Sequence, residues 1–190
     1  EILRCLVGSE MCIRDSFGTT WTAENCRYPV RKTQENGDDR TRPANIIITC
    51  TDNTRSRLEL WRLLKKYREA SVNNERAVYY WMDFGNAQTT GQIVIGTVRY
   101  KIRQPASKEF MPVPGMNVIT EEVNYSTIEE KDSGPSCSLA EALERQDLYI
   151  NSILAQVGCD ILWRMFKEGR TLYRGAYINL DTLRVNPIPV

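Results

Sequence analysis

Residues 45–51 read NIIITCT, and this stretch decides the fold class. A short β-branched run of this kind predicts a strand buried on both faces of a parallel sheet. Asp52, Asn53 and Thr54 follow as cap residues, and Leu58, Trp61, Leu64 and Tyr67 then recur at helical spacing. Strand, turn and helix in that order make a β-turn-α unit, so the class is α/β.

Downstream, Ala77 to Asp83 (AVYYWMD) predicts a second strand, Phe84-Gly85-Asn86 a turn, and Gln92 to Val98 a third strand. From Gln104 to Pro135 the pattern dissolves. Pro105, Pro112, Pro114 and Pro135 punctuate it, and Glu121, Glu122, Glu129, Glu130 and Asp132 make it acidic, so residues 104–136 read as one long, mobile loop. Ser138-Leu139-Ala140-Glu141 is a capping box that opens a helix expected to reach Glu168. Its apolar stripe falls on Leu139, Leu143, Ile150, Ile153, Leu154, Val157, Ile161 and Met165, with a break expected near Gly158 and closure at Gly169. Leu172 to Leu180 and Leu183 to Val185 flank Asp181-Thr182 as a terminal hairpin. Upstream, Thr19 to Tyr28 alternates loosely as a strand, and Arg31 to Arg42 reads as an exposed loop.

The chain has 190 residues, 42% of them hydrophobic and 26% charged, enough for one domain with a proper core. Lys plus Arg number 25 and Asp plus Glu 24, and a net charge of +1 argues against nucleic acid as a partner. No run approaches a membrane span, so the expectation is a cytoplasmic protein. There is no histidine, which removes Ser-His-Asp and Cys-His catalysis and His-ligated metals together. Six cysteines, at positions 5, 12, 26, 50, 137 and 159, contain no C-x-x-C pair, so a zinc knuckle is not expected and reduced thiols are.

Chemistry must then rest on carboxylates, thiols, Lys or Arg, or a bound nucleotide and metal. Asp52 falls at the carboxyl edge of the expected parallel sheet, where α/β folds bind nucleotides and a carboxylate can hold Mg²⁺ against phosphate oxygens. The competing reading, that it only caps the next helix, is the commoner role for such a residue. Cys137 precedes the capping Ser138, where the helix dipole favours thiolate; an inert surface thiol is its alternative. Cys50 and Cys159 lie in apolar contexts and are expected to be buried packing, and Cys26 has no assigned role. Arg55, Arg57, Arg62, Lys65, Lys66 and Arg68 form a charged helix face that would ordinarily be solvated, its early members close enough to the sheet edge to reach a nucleotide. Gly91 and Gly96 have P-loop spacing, but Thr97-Val98 follows where Lys and Ser/Thr are required.

Asp52-Asn53 followed by Arg57, Gly91-Gln92 opening a strand, and a cysteine before a long helix together resemble the ThiF/MoeB-type, ubiquitin-activating-like adenylyltransferases. The likeness is greatest to ThiF-family members of the bacterial PRTRC system. It is carried by WMDFGNAQTTGQIVIG (81–96), PSCSLAEALERQDLYIN (135–151) and GAYINLDTLRVNPIPV (175–190), and covers Phe17 onward. The resemblance implies the C-terminal part of a Rossmann-like activating domain with a mixed sheet and a crossover loop. Such an enzyme uses ATP·Mg²⁺ to adenylate the C-terminal carboxylate of a ubiquitin-like protein. By the same resemblance Asp52 would hold the metal and the nucleotide side, with Asn53 and Arg57 beside it. Cys137 would be the nucleophile that takes the acyl group as a thioester and passes it to a conjugating-enzyme-like partner, the enzyme itself forming a homodimer.

Two departures qualify the expectation. Leu6 to Ser16 (LVGSEMCIRDS) resembles a translated sequencing adapter, so residues 1–16 are expected to be non-native and 17–190 a partial activating domain. The family's glycine-rich loop, ribose-binding acid and phosphate-binding Arg and Lys find no counterpart after Phe17, so the chain alone is expected to bind ATP·Mg²⁺ weakly or not at all and to be inactive. The alternative function is a non-catalytic binding or dimerisation module for a ubiquitin-like protein or a partner activating subunit. A dinucleotide oxidoreductase fragment shares only the coarse fold and needs neither the Pro-Ser-Cys-Ser segment nor the loop before it.

Overall fold

The computed structural model describes residues 44–51, 53–69, 77–99, 102, 106, 108–109, 115–125 and 147–190, with backbone alone at 67 and 69. Five strands form one sheet in chain order: β1 (Ile46–Thr49), β2 (Tyr80–Asn86), β3 (Thr90–Thr97), β4 (Tyr173–Asn179) and β5 (Arg184–Pro189). β1 and β2 run parallel, and every later pair is antiparallel, so the sheet is mixed. Among the described residues three helices accompany it: α1 (Thr54–Glu69) between the parallel strands, the single turn α2 (Ile119–Glu122), and α3 (Ile150–Glu168) ahead of β4.

Period-two alternation sorts the sheet into two apolar faces. Trp81, Val94 and Val98 point to one, where Trp61 and Leu64 of α1 cover them together with Val118, Ile119 and Tyr125. Met82, Ile93, Ile95 and Ile178 point to the other, beneath Ile150, Leu154 and Ile161 of α3. The result is an α/β molecule with helices on both sides of a mixed sheet. Among the described residues, no helix is long and apolar enough to cross a membrane.

Several expectations change. β1 is parallel to β2 as its composition suggests, but it is the edge strand among those described and Ile48 is 51% exposed. The cause is the reach of α3, which packs on β2, β3 and β4 and leaves β1 uncovered. β2 begins later than Ala77 and runs through Phe84-Gly85-Asn86, which pair with Gln92 and its neighbours; the turn is tighter, closed by the Ala87 amide donating to the Thr90 carbonyl at 2.8 Å. α3 starts at Ile150 after an Asp147–Tyr149 turn, in which Asp147 accepts the Tyr149 amide at 2.9 Å, so one helix from Ser138 is not formed. Ser138 to Glu141 and Leu143 lie outside the described residues. No break occurs at Gly158: the Phe84 ring rests on it so closely that a Cβ there would lie 2.3 Å from Cζ. Gly169 ends the helix at φ 65° as expected, and the terminal hairpin is present as β4 and β5.

The segment 104–136 is not wholly loop. Its residues 115–125 cross the sheet at Gly96, where an added Cβ would lie 2.4 Å from Val118 Cα, and bury Val118, Ile119 and Tyr125 in the core. Cys50 and Cys159 are both exposed rather than packed. Cys50 lies beyond the end of β1, and Cys159 sits off the Leu154, Gly158, Ile161 stripe that α3 buries. Residues 1–16, the Thr19 to Tyr28 strand with Cys26, and the Arg31 to Arg42 loop lie outside the described residues.

Candidate functional site

The carboxyl end of β1 and the middle of β2 beside it hold a buried polar cluster. Thr49 closes β1 directly opposite Asp83 of β2, and this register brings the two side chains together. The Thr49 hydroxyl donates to Asp83 Oδ1 at 2.6 Å while accepting the Trp81 indole N–H at 2.8 Å. Arg57 enters from α1. Its Nε donates to Asp83 Oδ2 at 2.9 Å and its Nη2 to the Phe84 carbonyl at 2.9 Å. The Tyr125 ring lies beside the guanidinium, 5.7 Å from Cζ to the ring centroid, and the Tyr125 hydroxyl accepts from Gln92 Nε2 at 3.0 Å. Gly85 makes room, since a Cβ there would lie 3.0 Å from Arg57 Nη2 and 3.1 Å from Gln92 Nε2.

Arg57 and Asp83 are the only buried charged residues among those described, at 6% and 1% exposure. Burial pushes the Asp83 carboxyl above the usual carboxylate range, with Arg57 and the Thr49 hydroxyl pulling part of the way back. Burial likewise raises Tyr125, so its phenol stays protonated. The Arg57 position overturns one expectation for the charged face. Arg55 is exposed and pairs with Glu59 along the helix, whereas Arg57 turns inward beside Leu58 and Trp61.

The expected site residues fare differently. Asn53 caps α1, its Oδ1 accepting the Ser56 amide at 2.8 Å. That occupies the carboxamide oxygen and fixes where the helix starts. Arg57 and Gln92 are drawn into the cluster. Asp52 and Cys137 lie outside the described residues. A lone carboxylate closing an apolar run, as in AVYYWMD, was the available signal for Asp83. Thr49, Trp81 and Tyr125 carried none, because their roles depend on partners more than thirty residues away.

Chemically, the cluster fixes one cation at the edge where α/β sheets receive anionic ligands. It offers no acid–base pair, since both Asp83 oxygens already accept hydrogen bonds. For the same reason Asp83 does not suit a metal. No group of three or more Cys, Asp or Glu able to hold a metal occurs among the described residues. Mg²⁺ carried by a nucleotide needs only one or two protein carboxylates, and Asp52 would have to supply them. No family model and no curated protein sequence matches the chain.

Proposed function

We propose that the chain belongs to an ATP-dependent activating enzyme of the ThiF type, acting on the C-terminus of a ubiquitin-like protein. The observation that carries this reading is the buried Arg57 guanidinium, delivered by α1 to the carboxyl end of β1, where it meets Asp83 of β2. A buried ion pair is weak evidence for stability, because apolar residues of equal volume serve as well. A cation retained there is better explained by an anionic ligand, and the spacing Asp52-Asn53 to Arg57 resembles the nucleotide side of that family.

The reaction proceeds in two displacements. A carboxylate oxygen of the modifier attacks the α-phosphorus of ATP, forming the acyl adenylate as pyrophosphate leaves. The Cys137 thiolate then attacks the acyl carbon, forming the thioester as AMP leaves. Asp52 would hold the Mg²⁺ that accompanies the triphosphate, and the ion would supply positive charge against the pyrophosphate. Arg57 offsets charge on the phosphoryl oxygens. Without histidine, a thiol that ionises unaided suits the second step.

The test is ATP–pyrophosphate exchange by the chain joined to a ThiF-type glycine-rich nucleotide loop ahead of Phe17, with ubiquitin-like proteins bearing free or amidated C-termini. Exchange that needs the free carboxylate and disappears in Asp52→Ala is the expected result. Exchange retained in that variant would overturn the metal-holding role of Asp52. The second reading, a binding module without chemistry, is favoured by Trp163 and Phe166 of α3, which are 61% and 71% exposed.

A further inference from the structure

The nucleotide reading gives Arg57 a task but does not say what sets its orientation. We propose that Asp83 is the positioning residue for Arg57, locking the guanidinium plane so that its remaining edge meets a phosphoryl oxygen. This rests on the nucleotide reading above.

The hydrogen bonds run in one direction. Trp81 Nε1–H donates to Thr49, and the Thr49 hydroxyl, having one proton, donates it to Asp83 Oδ1. Asp83 Oδ1 is thereby fixed as an acceptor, and the carboxylate can turn only its Oδ2 toward α1. Arg57 Nε meets that oxygen, and Nη2 meets the Phe84 carbonyl one residue along the same strand. Two acceptors from adjacent residues, together with the Tyr125 ring, restrain the guanidinium both within its plane and across it. Among the described residues Nη1 makes no hydrogen bond, so it is the nitrogen left for a ligand. Arg is suited to this because its five donors form a rigid fork, so tying two directs the rest. Without Asp83 the side chain would keep its charge and lose its direction, and that loss is what an experiment can read.

The experiment follows the Arg57 Nε–H resonance of the 190-residue chain by NMR while Mg·ATP is added to millimolar concentrations. In the wild type the signal should be protected from solvent exchange and should shift as Mg·ATP saturates. In Asp83→Asn, with the amide spectrum unchanged, protection should vanish and the apparent Kd should rise about tenfold, the effect of one well-made polar contact. Equal Kd values in the two proteins would overturn the positioning role and leave the nucleotide reading standing. A wild-type Arg57 signal that Mg·ATP never moves would overturn this proposal, while the nucleotide reading is tested separately by pyrophosphate exchange. If Asp83→Asn does not fold, Thr49→Val removes the hydroxyl that orients Asp83 and should weaken protection in the same direction. An Arg57 signal unaltered in Thr49→Val would overturn the relay.

Discussion

A carboxylate that is 1% exposed loses the hydration that favours its charge, and at Asp83 this outweighs the nearby guanidinium. The sign of the pH effect follows. An acid with a raised folded pKa contributes stability that is present below its unfolded value of 3.8 and lost as the pH climbs through the raised one. Replacing the titrating group by Asp83→Asn should remove that decline, so the stability gap between wild type and variant narrows from acid toward neutrality. Urea denaturation across the range measures it. A gap that widens instead would mean the Arg57 pairing dominates burial. Truncation is harsher. Asp83→Ala leaves Arg57 buried without its partner and should cost about 3–5 kcal/mol. Arg57 itself was legible in the sequence only through the family spacing, since its neighbours Arg55 and Arg62 are solvent-facing charges of the same type.

The elements were legible where their signals are local. α1 follows from its Leu58, Trp61, Leu64 spacing and its Asn53 cap, and the β4–β5 hairpin from Asp181-Thr182 between two apolar runs. The cap gives a prediction: Asn53→Ala should lower stability by about 1 kcal/mol without moving the denaturant slope. The start of α3 was not legible, because the turn before it is tied across the chain, the Asp147 amide donating to the Gln88 carbonyl at 2.7 Å. The docking of 115–125 was hidden for the same reason. Its apolar anchors Val118, Ile119 and Tyr125 are too few for a periodicity, and they make sense only above Gly96. Gly96→Val should lift this segment from β3, visible as faster hydrogen exchange at Thr97, whose amide donates to the Met116 carbonyl at 2.9 Å. Unchanged exchange would show that the contact tolerates a side chain.

At the scale of the molecule, the described residues form two apolar cores on one sheet, and the polar cluster lies on the α1 side. Residues 115–125 belong to that side through Tyr125, which touches both Arg57 and Gln92. Anything bound by Arg57 therefore lies beside Tyr125. The central claim is that this edge prepares an acyl adenylate for the Cys137 thiol. It is tested most directly by mass spectrometry of the chain joined to a ThiF-type glycine-rich nucleotide loop, incubated with ATP and ubiquitin-like proteins, and compared with Cys137→Ala. The account predicts a thiol-reducible adduct on Cys137 in the wild type, and in the variant no adduct but undiminished pyrophosphate exchange. A reducible adduct that persists in Cys137→Ala would contradict it.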